Sequence, residues 1–185
     1  MFKQEWLPVI DEIPVGIKLV RYWDFAASEV KEKDKNNPDW TAGALCGIHE
    51  GILYIVDVMF FRESPGKTEE KIVDTAQTDG KPVEIWWEEE KGSAGKFVST
   101  YLEQAFKGFE AHPDPVEGQK IERARPWSAW AEQGKVRLLR GEWNRQFKAW
   151  ASAFPNGKRD VIDAVSGAFK AVSYTHLRAH ETVLD

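Results

Sequence analysis

The sequence is poor in the residues that build disulfide frameworks and most zinc sites. Its 185 residues include one cysteine, Cys46, and four histidines. One cysteine cannot form an internal disulfide, and it excludes a zinc site built from cysteines. His176 and His180 belong to a C-terminal segment that we set apart below. The other two, His49 and His112, are too few for a histidine-built metal site.

Long apolar runs and an excess of positive charge are also missing. The chain has no run of about 18 apolar residues, so we expect no membrane span. Its N-terminus lacks the apolar core of roughly 7 to 15 residues found in signal peptides. With 25 basic and 30 acidic residues the net charge is −5, which excludes an overall basic DNA-binding surface but not a local basic patch. Hydrophobic residues make up 42% and charged residues 30%, as in a globular domain.

The chain divides into a short leader, one domain and a tail. Residues 1–15 contain helix-breaking prolines and are interpreted as a linker remnant, whereas residues 16–172 form the predicted domain. Within it, strand-like and helix-like segments follow the order β-β-β-α-β-α-β-α-β-α-α. The second and third strands form an antiparallel hairpin through Glu50 and Gly51. This order predicts an α/β fold, a mixed sheet with helices on both faces.

The C-terminal segment, residues 173–185, shows no helical or strand period. It begins Ser173-Tyr174-Thr175 and resembles the translation of a sequencing adapter, so we exclude it from reasoning about fold and function. The alternative is a genuine disordered tail. His176 and His180 have the spacing of a helical metal pair, but we discard them together with this segment.

Acidic residues stand at the ends of predicted elements. Asp24 ends the first strand, Glu88 and Glu90 end the fourth, and Asp160 and Asp163 open the last helix. If the first and fourth strands are neighbours, their acids share one edge of the sheet. Glu88 and Glu90 then lie on one face by strand alternation. Clustered carboxylates raise each other's pKa, and divalent cations relieve that repulsion. Two such ions activate water in phosphodiester hydrolysis.

Each of these acids also has a structural explanation. Asp24 suits a turn, and the Glu run suits a solvated strand end. Asp160 is a common type of helix N-cap, and Asp163 is favoured by the helix dipole in a first turn. From the residues alone, both interpretations stay open.

Six short motifs, in chain order, resemble those of the C-terminal nuclease domain of tailed-phage terminase large subunits. They are R-Y-W-D-F-A-A at 21–27, D-W-T-A-G at 39–43, E-E-E-K-G-S-A-G-K at 88–96, K-I-E-R-A-R-P at 120–126, E-Q-G-K-V at 132–136 and R-D-V-I-D-A at 159–164. Each is short, but their shared order gives the resemblance its specificity, and together they extend over nearly all of residues 16–172.

The resemblance implies a ribonuclease H-like fold with a mixed five-stranded sheet. It implies an endonuclease that uses two Mg²⁺ or Mn²⁺ ions to cleave concatemeric double-stranded phage DNA during genome packaging. The implied partners are DNA, the terminase ATPase domain, the small subunit and the portal, in the host cell cytoplasm and without a membrane. The chain lacks a G-x-x-x-x-G-K-[ST] phosphate loop, so we expect the nuclease half alone, without ATP binding.

The same resemblance assigns roles to the acids of the first four strands. Asp24 corresponds to the central metal ligand and would be catalytic. Glu88 and Glu90 correspond to the two acids at the end of the fourth strand, with Glu88 catalytic. Asp39 matches an acidic position at the start of the second strand and is a possible outer-shell residue.

The last helix carries the final metal ligands implied by the resemblance. Asp160 matches the second acid of the family's Asp pair and would be catalytic, and Asp163 matches the acid three residues later. Arg159 stands where the family has the first acid of the pair. Which of Asp160 and Asp163 is the ligand stays open.

Cations near these motifs are candidates for contacts with DNA phosphates, with ordinary surface charge as the alternative. They are Lys91, Lys96, Lys120, Arg123 and Arg125. Two other functions also stay open. One is another ribonuclease H-like nuclease, such as a junction resolvase or an integrase, and the other is a non-catalytic module that docks on the portal.

Overall fold

The structure is a computed structural model that describes residues 1–25 and 40–181. Asp39, the possible outer-shell residue, lies outside the described residues. Among the described residues, no helix combines the length and the apolar content needed to cross a membrane.

One mixed sheet organises the described residues, and its order is β1-β7-β4-β3-β2-β5-β6. Its strands are β1 (Val9–Ile10), β2 (Leu19–Phe25), β3 (Trp40–His49), β4 (Ile52–Arg62), β5 (Glu84–Glu89), β6 (Ala111–Pro115) and β7 (Val136–Leu139). β2, β3 and β4 pair antiparallel, and the other neighbours pair parallel. The predicted mixed sheet with an antiparallel hairpin is therefore confirmed.

The expected strand number of five is too low, since seven strands pair in the described residues. β1 lies in the segment predicted to be a linker. It pairs with β7 through backbone bonds in which Leu138 N donates to Pro8 O at 2.9 Å and Arg140 N to Ile10 O at 2.8 Å. A strand of two residues is too short for a period-two pattern, which is why the sequence does not reveal it.

Helices cover both faces of the sheet, as predicted. They are α1 (Pro65–Asp79), α2 (Ser93–Ala105), α3 (Lys120–Glu132), α4 (Asn144–Ala153) and α5 (Arg159–Glu181), with a short 3₁₀ helix over Gln4–Trp6. α1 and α2 pack on a core that includes Trp23 and Trp87. α3, α4 and α5 pack on the opposite face, on a larger core that includes Tyr22 and Trp127. Because β2 side chains alternate, the strand contributes to both cores.

α3 begins at Lys120, and Pro126, a residue type that often stands at the start of a helix, lies inside it. The start is capped: the backbone N–H of Gln119 donates to Glu122 Oε2 at 3.0 Å, the arrangement of a capping box. This start places Lys120 and Arg123 on the helix, one turn apart.

α5 ends at Glu181, beyond the predicted end of the domain at residue 172. The tail, predicted to be adapter-derived or else disordered, is therefore helical over residues 173–181. Ala171 and Thr175 are buried four residues apart, a helical spacing that is hard to see because Thr175 is polar. The origin of residues 173–185 in an adapter stays a prediction.

Gly167 allows α5 to lie directly on the sheet. A Cβ atom at this position would lie 2.2 Å from the ring of Tyr22, closer than any side chain permits. The close approach packs the apolar stripe of α5, including Val161 and Val165, into the core. It also brings Asp163, one turn before Gly167, to the end of β2.

Candidate metal centre

Asp24 and Glu88 lie side by side at the ends of two parallel strands. β2 and β5 pair with Trp23 opposite Trp87, so the next residues along are Asp24 and Glu88. Both indoles are fully buried on the side of α1 and α2, and Trp87 Nε1 donates to Ser99 Oγ at 2.9 Å. By alternation the two acids face α3 and α5. The condition that the strands be neighbours is thus met.

A third carboxylate, from Asp163 of α5, completes the acidic group. One carboxylate oxygen each of Asp24, Glu88 and Asp163 lies within 4.8 Å of the others. Asp24 is 3% exposed and Asp163 is 2% exposed, while Glu88 is half-buried. We call these three residues the acidic group.

Two cations of α3 offset the repulsion within the acidic group. Lys120 Nζ lies 2.9 Å from Asp24 Oδ2 and 3.4 Å from Asp163 Oδ2. Arg123 holds Asp163 with two bonds, from Nε to Oδ1 at 2.9 Å and from Nη2 to Oδ2 at 2.5 Å. Arg123 Nη2 also lies 3.6 Å from Glu88 Oε2. Lys120 and Arg123 were predicted to contact DNA phosphates, and here both face the acids from one side of α3.

The carboxyls of the acidic group have unequal proton affinities. Burial raises the pKa of Asp24 to about 6, although the ammonium of Lys120 acts against it. Burial, with the charges of Asp24 and Asp163, raises the pKa of Glu88 to about 8. Burial would also raise the pKa of Asp163, but the hydrogen bonds from Arg123 and the charge of Lys120 outweigh it, so that pKa is lowered. Glu88 therefore has the highest proton affinity of the three carboxyls.

The donor set fits Mg²⁺ or Mn²⁺. Carboxylate oxygens are the ligands that these ions prefer. A cation at the acidic group would replace the proton of Glu88 and weaken the hold of Lys120 on Asp24.

The family follows from the sequence as a whole. Residues 21–171 match the family described as the Terminase RNaseH-like domain. The chain belongs to this terminase nuclease family. No curated protein matches this terminase domain in sequence.

Solved terminase structures share the fold. The P22 large terminase nuclease domain has a TM-score of 0.62 and 16% identity, over 96% of this chain and 91% of that one. The human cytomegalovirus terminase nuclease domain, Mn soaked, has a TM-score of 0.61 and 14% identity, over 83% of this chain and 82% of that one. The large terminase of a thermophilic bacteriophage has a TM-score of 0.58 and 13% identity, over 89% of this chain and 42% of that one. The predicted ribonuclease H-like fold is thereby confirmed.

Two predicted ligands of the terminase domain lie outside the acidic group. Asp160 lies in the first turn of α5, where Lys120 Nζ lies 2.6 Å from Asp160 Oδ1. The side chain of Asp160 is 32% exposed. Glu90 is exposed and follows the end of β5 at Glu89. The alternation that predicted Glu88 and Glu90 on one face stops there, so the structure does not bring Glu90 to the group.

The other predicted DNA-contacting cations are exposed. Lys91 lies in the turn between β5 and α2, Lys96 in the first turn of α2, and Arg125 on α3. Gly95 allows the start of α2 to pack closely on the backbone of Glu90, because a Cβ atom at this position would lie 2.0 Å from the carbonyl oxygen of Glu90. These three side chains are open to a ligand.

Sequence reasoning missed a buried acid beside the group, Asp114. It pairs with Glu88 in the β5–β6 register, accepts a hydrogen bond from Tyr22 Oη at 2.7 Å and another from Lys170 Nζ at 2.8 Å. Asp114, Tyr22 and Lys170, with Arg123, line a cavity of about 640 Å³. The strand-end rule that selected Asp24 and Glu88 applies equally to Asp114, so the signal was available.

The raised pKa of Glu88 predicts a pH-dependent stability for the metal-free protein. The folded state holds this proton up to a pKa of about 8, against an ordinary 4.5. The stability that Glu88 contributes is therefore fully present below the ordinary value and is lost as the pH rises toward 8. Urea unfolding between pH 5 and 8.5 should show this decline, with a shallower slope in Glu88→Gln. Glu90→Gln is the matched control and should keep the wild-type slope. Equal slopes in all three proteins would contradict the prediction.

Proposed function

We propose that this terminase domain is a metal-dependent endonuclease that hydrolyses double-stranded phage DNA concatemers during genome packaging. The observation that carries the proposal is the convergence of Asp24, Glu88 and Asp163, whose oxygens lie within 4.8 Å at one end of the sheet. Three carboxylates in such a space favour cation binding over a purely structural role.

The acidic group would hold Mg²⁺ or Mn²⁺, and we propose two ions. When bound, such ions supply an activated water and stabilise the leaving oxygen. The human cytomegalovirus domain is the one that was soaked with Mn. We propose the same metal for the present chain because its acidic group offers carboxylate oxygens as ligands. Asp160, linked to Asp24 through Lys120, is the further carboxylate that we propose for a second ion.

The cations of α3 would position the acids. The bidentate hydrogen bonds from Arg123 fix the orientation of the Asp163 carboxylate. Lys120 neutralises Asp24 and Asp160 until a metal competes for the carboxylates or a DNA phosphate competes for the ammonium. Each ligand is thus held before the metal arrives, which lowers the cost of ordering the site.

DNA binding would rest on local charge, since the net charge of the chain is −5. Lys91, Lys96 and Arg125 are exposed and would contact backbone phosphates, with Lys120 and Arg123 closer to the scissile bond. Phosphate contacts of this kind give sequence-independent affinity that weakens with salt.

The wider assembly is also a proposal. The match spans 42% of the large terminase of the thermophilic bacteriophage, so we propose that this chain works beside a terminase ATPase domain. The small subunit and the portal would be further partners, in the cytoplasm of the host cell.

Cleavage of supercoiled plasmid by the full chain tests the function. We expect nicked and linear DNA with Mn²⁺ or Mg²⁺ and no cleavage with a chelator, because the metal supplies the activated water. Junction DNA and an RNA–DNA hybrid serve as comparison substrates. Preference for the junction would overturn the packaging assignment in favour of a resolvase. A folded chain that neither cleaves nor gives heat in a Mn²⁺ titration would overturn the nuclease and favour a docking module.

A further inference from the structure

A second cluster of ligand-type side chains lies at the opposite end of β5. It consists of Glu84, Glu110 and His112, whose carboxylate oxygens and ring nitrogen lie within 4.8 Å of one another. Glu84 is the first residue of β5 and Glu88 lies four residues further on, so the two clusters are separated by about 13 Å along the strand. The acidic group does not share any residue with it.

The sheet register forces the two glutamates together. Ile85 pairs with Ala111 in the parallel β5–β6 ladder, and Ile85 N donates to Glu110 O at 2.8 Å. Glu84 and Glu110, one position earlier, therefore stand side by side. Like charges in this arrangement destabilise a sheet. Lys18 Nζ is 4.0 Å from Glu84 Oε1, too far for a hydrogen bond.

Glu84 carries an oxygen that nothing in the described part of the chain satisfies. The residue is 5% exposed, and its Oε2 atom is buried without a hydrogen-bond partner. A buried carboxylate oxygen left in this state is costly, and native proteins seldom tolerate it. A cation shared by the cluster would satisfy this oxygen and remove the repulsion between the two glutamates.

His112 adds the nitrogen that distinguishes this cluster from the acidic group. Its Nε2 lies 3.4 Å from Glu110 Oε1, and its ring packs on the indole of Trp86 with the centroids 4.8 Å apart. The side chains of His112 and Glu110 are 39% and 58% exposed. The cluster is thus closed by Glu84 on the inner side and open to solvent on the outer side, which provides an entry path and room for water ligands.

We propose that Glu84, Glu110 and His112 bind a divalent transition-metal ion, with Zn²⁺ as the best fit. One imidazole nitrogen and two carboxylate oxygens suit Zn²⁺ better than Mg²⁺ or Ca²⁺, which prefer oxygen alone. Three protein ligands leave a fourth position for water.

The bound ion would fasten the edge of the sheet. β6 is the outermost strand, and its only strand neighbour in the described residues is β5. An ion that joins Glu84 to Glu110 and His112 ties the two strands at one end. At the other end the same pair of strands carries Glu88 and Asp114, so the ion would stabilise the strand that presents an acid of the metal centre.

Zn²⁺ titration of the full chain by calorimetry tests the inference. A background that carries Asp24→Asn and His176→Gln weakens the acidic group and removes one member of the i, i+4 histidine pair of α5, so that the second site is measured by itself. We expect one Zn²⁺ per chain in this background, and a loss of affinity of at least about tenfold on adding His112→Gln or Glu84→Gln. His49→Gln, at the hairpin turn, is the matched histidine control and should bind as the background does.

Two results would overturn the second site. One is an absence of Zn²⁺ binding in the folded background protein. The other is unchanged Zn²⁺ affinity in both His112→Gln and Glu84→Gln. Circular dichroism of each variant establishes that it is folded, and the two ligand substitutions act on different strands, so a folding defect in one leaves the other informative. Because the readout is Zn²⁺ binding rather than DNA cleavage, failure of the nuclease proposal leaves the result unaffected.

Discussion

Asp24→Asn is expected to lower DNA cleavage on the order of 10³-fold or more, a loss typical of a residue essential to the chemistry. Asp24 is 3% exposed and is the acid of the group that Lys120 holds at 2.9 Å. Asparagine keeps the shape of the side chain but removes the charge that would hold a cation. Initial rates of plasmid nicking in Mn²⁺ measure the effect.

Two comparisons make this result specific. DNA affinity of Asp24→Asn should stay near that of the wild type, because asparagine changes neither the exposed cations nor the fold. Glu90→Gln removes an equally acidic side chain that is exposed and outside the group, and it should retain cleavage. Cleavage by Asp24→Asn at close to the wild-type rate would eliminate Asp24 as a metal ligand.

Arg21→Met is expected to destabilise the fold by about 3 to 5 kcal/mol, the range for breaking a buried ion pair. Arg21 is 3% exposed and holds Asp79, at the end of α1, with bonds from Nε at 2.7 Å and Nη2 at 2.9 Å. Its Nη1 donates to Asp57 Oδ2 of β4 at 2.8 Å. Methionine fills the space but leaves the 8%-exposed side chain of Asp79 without a partner. Urea unfolding measures the change.

Arg140→Met provides the matched control for Arg21. Arg140 Nε lies 2.5 Å from Asp11 Oδ1, yet the two side chains are 66% and 74% exposed. A solvated pair contributes little to stability whatever its length, so this variant should unfold close to the wild type. Similar losses in both variants would show that burial is not what gives the Arg21 pair its effect.

Local patterns predicted acids near the ends of two strands, but their meeting depended on the pairing of β2 with β5, which the sequence left as a condition. Asp24 and Glu88 are each the last residue but one of their strands, and strand alternation turns both to one face. The pattern failed at Glu90 because β5 ends at Glu89, and strand ends are set by pairing rather than by residue type.

The choice between Asp160 and Asp163 lay beyond the sequence. Asp160 stands in the first turn of α5 and Asp163 three residues later, and only the rotation of the helix decides which one faces β2. That rotation depends on the contact of Gly167 with Tyr22, two residues far apart in the chain. The start of α3 is hard to locate for a related reason, because Pro126 has the character of a helix opener but lies inside the helix that begins at Lys120.

The β2–β5 register has a consequence for tolerance to mutation. A slip of one residue would turn every side chain of β5 to the opposite face, placing Glu88 in the apolar core under α2 and Trp87 among the acids. Trp87 opposes this slip because its ring fills that core and its Nε1 is bonded to Ser99. Substitutions at Trp87 or Ser99, whose side chains lie on the opposite face of the sheet, are therefore expected to displace the carboxylate of Glu88.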